Sequence, residues 1–353
     1  VSVHRRDLLR ASLFVGSTLG LSAGVWASAP AATRAANEQG AATLNDRLAG
    51  DLSPVHDPCI IKQGDTYHLF CTGQAHDPTG LLPWRTSKDL VNWKLNGRVF
   101  DEIPQWAQQA VPGTRGLWAP DIAYFNGLYH LYYSCSTFGS NHSVIGLVTN
   151  KTLDRASKDF AWEDRGLVVK SERGDDFNAI DSNHLIDRAG QHWLCLGSFW
   201  SGIKLFPLDP AAGKPIPNDQ RKYSVARRPA PENAPAAIEA PFLIERNGYY
   251  YLFTSFDYCC RGASSSYYIV VGRSRAVTGP YVGRDGKSQM DGYGTVVIRG
   301  NRRFRGPGHQ AVLRDGERDY LVYHAYDAEH DGRATLRIAA MEWTADGWPL
   351  VQS

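Results

Sequence analysis

The chain has 353 residues, 43% of them hydrophobic and 21% charged, which is enough apolar material for a large core and excludes a disordered segment. The formal net charge is +2, with lysines and arginines scattered along the sequence, so there is no basic stripe of the kind that tracks nucleic acid. Six cysteines are present, and none of their spacings resembles a zinc site.

The N-terminus reads His4-Arg5-Arg6-Asp7-Leu8-Leu9-Arg10, then an apolar, Gly/Ala-rich stretch from Ala11 to Trp26, then Ala27-Ser28-Ala29. Paired arginines before a modest apolar run are the pattern of a twin-arginine export signal. The run is short and rich in Gly and Ser, which argues against a membrane anchor. Residues 1–36 are therefore assigned to signal and lead-in, with cleavage between Ala29 and about Ala36, and residues 37–353 to the folded domain. The mature protein is expected in the periplasm or outside the cell, with no membrane association once the signal is gone.

From about residue 50 onward one phrase recurs about every 60 residues: a polar or acidic residue beside Pro, Gly or Ser, a short apolar run, a turn, and an aromatic strand. His56-Asp57-Pro58-Cys59-Ile60-Ile61 precedes Tyr67-His68-Leu69-Phe70, and Trp118-Ala119-Pro120-Asp121-Ile122 precedes Tyr129-His130-Leu131-Tyr132. Ile180-Asp181-Ser182-Asn183-His184-Leu185 precedes Trp193-Leu194-Cys195-Leu196, and Glu239-Ala240-Pro241-Phe242-Leu243 precedes Tyr249-Tyr250-Tyr251-Leu252. The fifth copy is Gly308-His309-Gln310-Ala311-Val312-Leu313 before Tyr320-Leu321-Val322-Tyr323. A unit longer than a hairpin, repeated five times without a linker, predicts one all-β domain, a five-bladed β-propeller.

Local signals agree. Gln63-Gly64-Asp65, Asn126-Gly127, Asn247-Gly248 and Asp315-Gly316 are hairpin turns. Thr86 to Trp93, Val144 to Asn150 and Ile269 to Ser274 read as outer strands that follow the aromatic strand of their own blade. Pro207 to Pro217 and Pro229 to Pro235 read as connections before the fourth blade, the second of them extended. Cys59 and Cys71 flank one hairpin and are open to pairing; Cys135 and Cys195 read as small buried hydrophobes. Cys259-Cys260 is a vicinal pair, either a strained ring or two thiols near a cleft.

In a propeller the first strand of each blade lines the axis, so Asp57, Asp121, Asp181 and Glu239 converge from four blade starts. Gathered like charges repel, and their joint presence asks for a chemical reason. Glycosidic hydrolysis is one, since it needs a carboxylic acid and a carboxylate together.

The motifs His56-Asp57-Pro58, Trp118-Ala119-Pro120-Asp121, Ala179-Ile180-Asp181, Ile238-Glu239-Ala240-Pro241-Phe242 and Gly306-Pro307-Gly308-His309 resemble glycoside hydrolase family 43. Ser198 to Gly202, Ser255 to Gly262 and Tyr323 to Asp327 are similar to the arabinanases within it, which act endo on α-1,5-linked arabinan. The resemblance implies an inverting hydrolase with Asp57 as general base, Glu239 as general acid and Asp181 as the carboxylate that raises the acid's pKa and orients it. It implies sugar contacts by His56, Trp118, Asp121, Phe138, Phe199 and Trp200, with Asp121 in a positioning role. It also implies a calcium ion beside His309 near the axis and no organic cofactor. The expected partner is plant cell-wall arabinan and its oligosaccharides, and the expected state is a monomer. Exo-acting arabinofuranosidases or β-xylosidases of the same family are the near alternative, and a non-catalytic sugar-binding propeller is the distant one.

Overall fold

The computed structural model describes residues 42–230 and 236–351. The proposed export signal lies outside the described residues, as does the centre of the second Pro-rich stretch. Five sheets succeed one another along the chain, antiparallel except where Ala49–Gly50 pairs parallel with Asn92 and Trp93 at the edge of the first. The first blade is built from Cys59–Gln63, Thr66–Phe70, Leu81–Ser87 and Asn92–Phe100, and the second from Gly116–Phe125, Leu128–Cys135, Ser143–Asn150 and Glu163–Ser171. The third uses Asn183–Ile186, His192–Leu196 and Ile203–Asp209, on which Lys214–Pro215 and Tyr223–Ala226 both pair. The fourth is Ile238–Arg246, Tyr249–Phe256, Tyr268–Ser274 and Thr295–Ile298; the fifth is Phe304–Asp315, Arg318–Asp327, Arg333–Trp343 and Pro349–Val351. This is the five-bladed propeller that the repeat predicts.

The aromatic strands are second in each blade and are covered on both faces, because each sheet is sandwiched between its neighbours. Every residue from Tyr129 to Cys135 is buried, which explains why these segments read as continuous apolar runs rather than as an alternation. Phe70 and Trp84 stack with ring centroids 5.3 Å apart, and Phe160 stacks on the same indole at 5.7 Å.

The ring is closed by the segment ahead of the first blade. Asn45, in the short helix Leu44–Arg47, accepts from the Ile338 N–H at 2.8 Å and donates to the Tyr323 hydroxyl at 3.2 Å. Leu336 N donates to Leu52 O at 2.9 Å, and Val55 N to Ala334 O at 3.1 Å. The buried Arg85 guanidinium then pins this segment to the first blade, donating to Asp51 O at 2.6 Å and Pro54 O at 2.8 Å.

Three expectations are corrected. Thr86 to Trp93 is not one strand: it spans the end of the third strand, a turn, and the start of the fourth. Asp89 makes that turn, its carboxylate accepting the N–H groups of Val91 and Asn92 at 2.9 and 2.8 Å. Pro207 lies inside a strand, opposite Trp193, rather than in a connection. All six cysteines are free, including Cys59 and Cys71, both of which are buried.

Candidate active site

At the start of each inner strand one residue adopts a left-handed backbone: Asp57 (φ 52°), Ala119 (φ 46°), Asp181 (φ 59°), Ala240 (φ 53°) and His309 (φ 49°). None is glycine, and such residues each cost of order 1–3 kcal/mol unless the surroundings impose them. The sheet register slips at this point between Trp118 and Asp121, between Glu239 and Phe242, and on both sides of Gly308, as a bulge requires. The bulge re-aims these side chains along the axis. It also shows that the four acids do not occupy equivalent positions. Asp57 and Asp181 are the left-handed residues themselves, Glu239 is one residue earlier in its blade, and Asp121 is two residues later.

What imposes the conformation is also repeated. Near the end of the aromatic phrase each blade places one polar side chain: Thr72, Ser134 and Ser198 at the sixth residue, Ser255 at the seventh and His324 at the fifth. In four cases it accepts the N–H of the left-handed residue in the next blade. Ala119 N donates to Thr72 Oγ at 2.8 Å, Asp181 N to Ser134 Oγ at 3.1 Å, His309 N to Ser255 Oγ at 2.9 Å, and Asp57 N to His324 Nδ1 at 3.0 Å. The exception is Ser198, whose hydroxyl donates to Glu239 Oε2 at 2.6 Å. The Ala240 N–H that Ser198 leaves free is accepted by Asp181 Oδ2 at 3.2 Å. One exchanged hydrogen bond thus ties Asp181 to the residue that follows Glu239.

Asp57 Oδ1 lies 2.8 Å from His56 Nδ1 and 3.0 Å from His309 Nδ1, and Oδ2 accepts the Thr72 hydroxyl at 2.5 Å. Burial alone would raise its pKa, but the imidazoles of His309 and His56 outweigh burial and hold Asp57 well below the usual carboxylate range. Burial depresses His309 in turn, and Asp57 and Asp181 more than restore it, to about 9.

Glu239 is in the opposite condition. Burial pushes its carboxyl up, against hydrogen bonds from Ser198 and from the Tyr267 hydroxyl, which donates to Oε1. Neither partner is a cation, and a hydroxyl can turn to accept when the carboxyl is protonated. Asp181 is lifted to about 8 by burial and by the charges of Glu239 and Asp57, with His309 pulling the other way.

These groups share one cavity of about 910 Å³, lined by Asp57, Asp181, Glu239, His56 and His309. Its aromatic wall contains Trp118, Phe138, Phe199 and Trp200, the four proposed from sequence. Phe138 is 85% exposed, and Phe199 and Trp200 are consecutive left-handed residues, a strained turn that presents both rings. Asp121 is not in that lining. Its oxygens accept Asn183 Nδ2 at 3.2 Å and His184 N at 2.7 Å, which makes it a buried tie between the second and third blades. Trp84 is wholly buried, and Trp106 donates to Asp164 at 2.9 Å; both belong to packing.

His309 does not sit in a calcium cage. Its Nδ1 is engaged by Asp57, and the clusters of potential ligands among the described residues are His56–Cys259–Cys260 and His56–Asp57–His324, neither of which includes it. Calcium takes six to eight oxygens. Any ion here would be held by His309 Nε2 and water.

Sequence reading assigned no role to Tyr267, Ser198 or Thr72. Ser198 and Thr72 carry a signal, the hydroxyl at a fixed place in the aromatic phrase. Tyr267 carries none, because it precedes a strand in a loop and reaches Glu239 only through the fold. Gly308 makes its space: a Cβ there would lie 2.7 Å from the Tyr267 ring.

Residues 53–349 match the model of glycosyl hydrolases family 43. The chain is 43% identical over 305 residues to an extracellular exo-α-(1→5)-L-arabinofuranosidase of Cellvibrio japonicus, covering 84% of this chain and 86% of that one. It is also 43% identical over 296 residues to an extracellular endo-α-(1→5)-L-arabinanase of Bacillus subtilis, covering 84% and 87%. Among solved structures, a Cellvibrio cellulosa α-L-arabinanase complexed with arabinohexaose superposes with a TM-score of 0.80 at 41% identity, over 85% of this chain and 96% of that one.

Proposed function

The chain belongs to glycosyl hydrolase family 43, and from that premise we propose that it cuts linear arabinan at internal α-1,5-L-arabinofuranosidic bonds with inversion at the anomeric carbon. One observation carries this reading: a single cavity holds two carboxyl groups whose pKa values are pushed apart, Asp57 held low between two imidazoles and Glu239 pushed up by burial. Asp57 takes a proton from water, whose oxygen bonds to the anomeric carbon while the glycosidic C–O bond breaks on the other face. Glu239 gives its proton to the departing oxygen. Asp181 shares the buried charge with Glu239 and, through the Ala240 N–H, fixes the backbone beside it. Phe138, Phe199 and Trp200 offer apolar faces to furanose rings.

The two relatives named extracellular support export of this chain, which we assign to the Arg5-Arg6 signal. The exo name of one of these equally similar relatives keeps release of single end units as the second reading. Chain-length analysis of early products from linear arabinan decides. Mixed oligomers are expected, monosaccharide from the first time point would replace endo by exo, and no product at all would favour a sugar-binding protein. Inverted configuration of the first product, read by NMR, tests the stereochemistry.

A further inference from the structure

Two cysteines at the cavity wall have no part in that mechanism. Cys259 and Cys260 lie in the loop between Tyr249–Phe256 and Tyr268–Ser274, and Cys260 is left-handed (φ 63°). Adjacent residues of a strand would point to opposite faces; this turn places both sulfurs on the same side, toward His56. The Nε2 of His56 and the two Sγ atoms all lie within 4.8 Å of one another, with Nε2 to Cys260 Sγ at 3.7 Å. Zinc bonds of about 2.3 Å to sulfur and about 2.0–2.1 Å to nitrogen give tetrahedral edges of about 3.6 Å for N to S and about 3.8 Å for S to S. The cluster is therefore near the size of three corners of such a tetrahedron, and all three residues line the cavity.

The imidazole is oriented for the task. Its Nδ1 points at Asp57 Oδ1 at 2.8 Å, the carboxylate–histidine arrangement that leaves Nε2 as the ligand atom. Tyr326 secures the loop, its hydroxyl accepting Cys260 N at 2.7 Å; the same hydroxyl meets His56 Nε2 at 2.7 Å and is the group a metal would displace from that nitrogen. Arg261 stacks on Tyr258 with 4.0 Å from guanidinium to ring centroid, and Arg228 pairs with Asp257. The donor set is one nitrogen and two sulfurs, which selects zinc-like ions over calcium or magnesium.

We propose that His56, Cys259 and Cys260 form a three-ligand site for a thiophilic divalent cation, zinc foremost, and that its occupation inhibits the hydrolase. Binding displaces any proton that the two sulfurs and His56 Nε2 carry. The metal occupies the cavity beside Asp57 and, through His56, draws electron density from the carboxylate that takes the proton from water. The inhibitory half rests on the proposed function; the site itself does not.

The test uses full-length protein reduced with a non-chelating phosphine, with two reactive surface thiols first confirmed by Ellman titration. Cobalt(II) is added and the thiolate-to-cobalt charge-transfer band is recorded, followed by displacement with zinc. One equivalent is expected, and the double variant Cys259→Ser/Cys260→Ser should lose affinity by more than about 100-fold, since outer partners alone are worth about 10- to 100-fold. The other four cysteines are buried, so they do not supply the band. Absence of the band, its persistence in the double variant, or a thiol pair that resists reduction would overturn the site. His56→Gln, with thermal midpoints for every variant, provides the second ligand test should the double variant misfold. Stoichiometric zinc should then abolish arabinan hydrolysis and a chelator restore it; zinc bound without inhibition would overturn the inhibitory half. Because the optical assay contains no substrate, a protein that fails to cut arabinan would overturn the functional reading while leaving the site intact.

Discussion

Replacing Tyr267 by Phe isolates what holds the acid. The hydroxyl donates to Glu239 Oε1 from a ring that is 2% exposed, so its removal leaves no route for water to substitute freely. A hydrogen bond to a charged group is worth about 1.5–3 kcal/mol. At about 1.36 kcal/mol per pKa unit, losing it should raise the Glu239 pKa by about 1–2 units, because the bond favours the carboxylate. A general acid must be protonated to act, so the alkaline limb of kcat/KM on linear arabinan should move to higher pH by that amount. The same bond stabilises the carboxylate that forms as the proton leaves, so the pH-independent rate should fall by about 10- to 100-fold. The assay is a pH–rate profile for parent and variant, with circular dichroism to confirm the fold. An unmoved alkaline limb, or one displaced to lower pH, would refute the assignment of Glu239 as the acid governed by Tyr267.

Glu239→Ala should cost about 10²–10⁴ in rate on arabinan and much less on an aryl arabinofuranoside, whose leaving group needs little protonation; equal losses on both substrates would remove Glu239 from that role. Asp57→Asn should cost a similar factor on both substrates, because water must be activated in either case, and an aryl substrate that is spared would contradict it. Gly308→Ala should mimic Tyr267→Phe in the pH profile, since its Cβ would stand 2.7 Å from the Tyr267 ring and force it off Glu239. NMR titration should find His68 and His130 neutral down to about pH 4, where burial has depressed them. Unfolded imidazoles titrate near 6.5, so these two contribute stability that is full above about pH 6.5 and lost as pH falls toward 4; His130→Gln should flatten that part of the melting curve series, and midpoints near 6.5 in the folded protein would contradict the burial argument.

The blades were legible because the second strand of each must be apolar on both faces, and a run such as Tyr129 to Tyr133 has no other use. The convergence of Asp57, Asp181 and Glu239 was legible for the same reason, since closing five such sheets forces their inner strands together. The register of the acids was not. A bulge adds a residue to one strand without altering its composition, so Asp121 and Glu239 look alike beside their prolines although one ties two blades together and the other faces the cavity. Pro207 misled in the opposite direction: a proline reads as a break, yet here it sits within the third strand of its blade, paired opposite Trp193.

The ring of side chains that accepts the axial N–H groups explains why the acid sits where it does. Thr72, Ser134, Ser255 and His324 each spend an oxygen or nitrogen on holding a left-handed residue; at Asp181, His309 and Asp57 that residue aims a side chain at the axis, while Ala119 carries none to aim. At the fourth blade Ser198 spends its proton on Glu239 instead. The left-handed residue there is Ala240, which has nothing to aim, and the acid comes from the position before it. Its N–H still needs a partner, and Asp181 supplies one at 3.2 Å. A structural repeat has been broken at one blade only, and the break couples two cavity carboxyls whose pKa values are raised. Asp57 keeps the unbroken form of the repeat, as Asp181 does, and the imidazoles of His309 and His56 are what hold its pKa low. The division between acid and base therefore follows from which carboxyl meets those imidazoles and which meets only hydroxyls, a distinction that exists only once the five phrases are wrapped around a common axis.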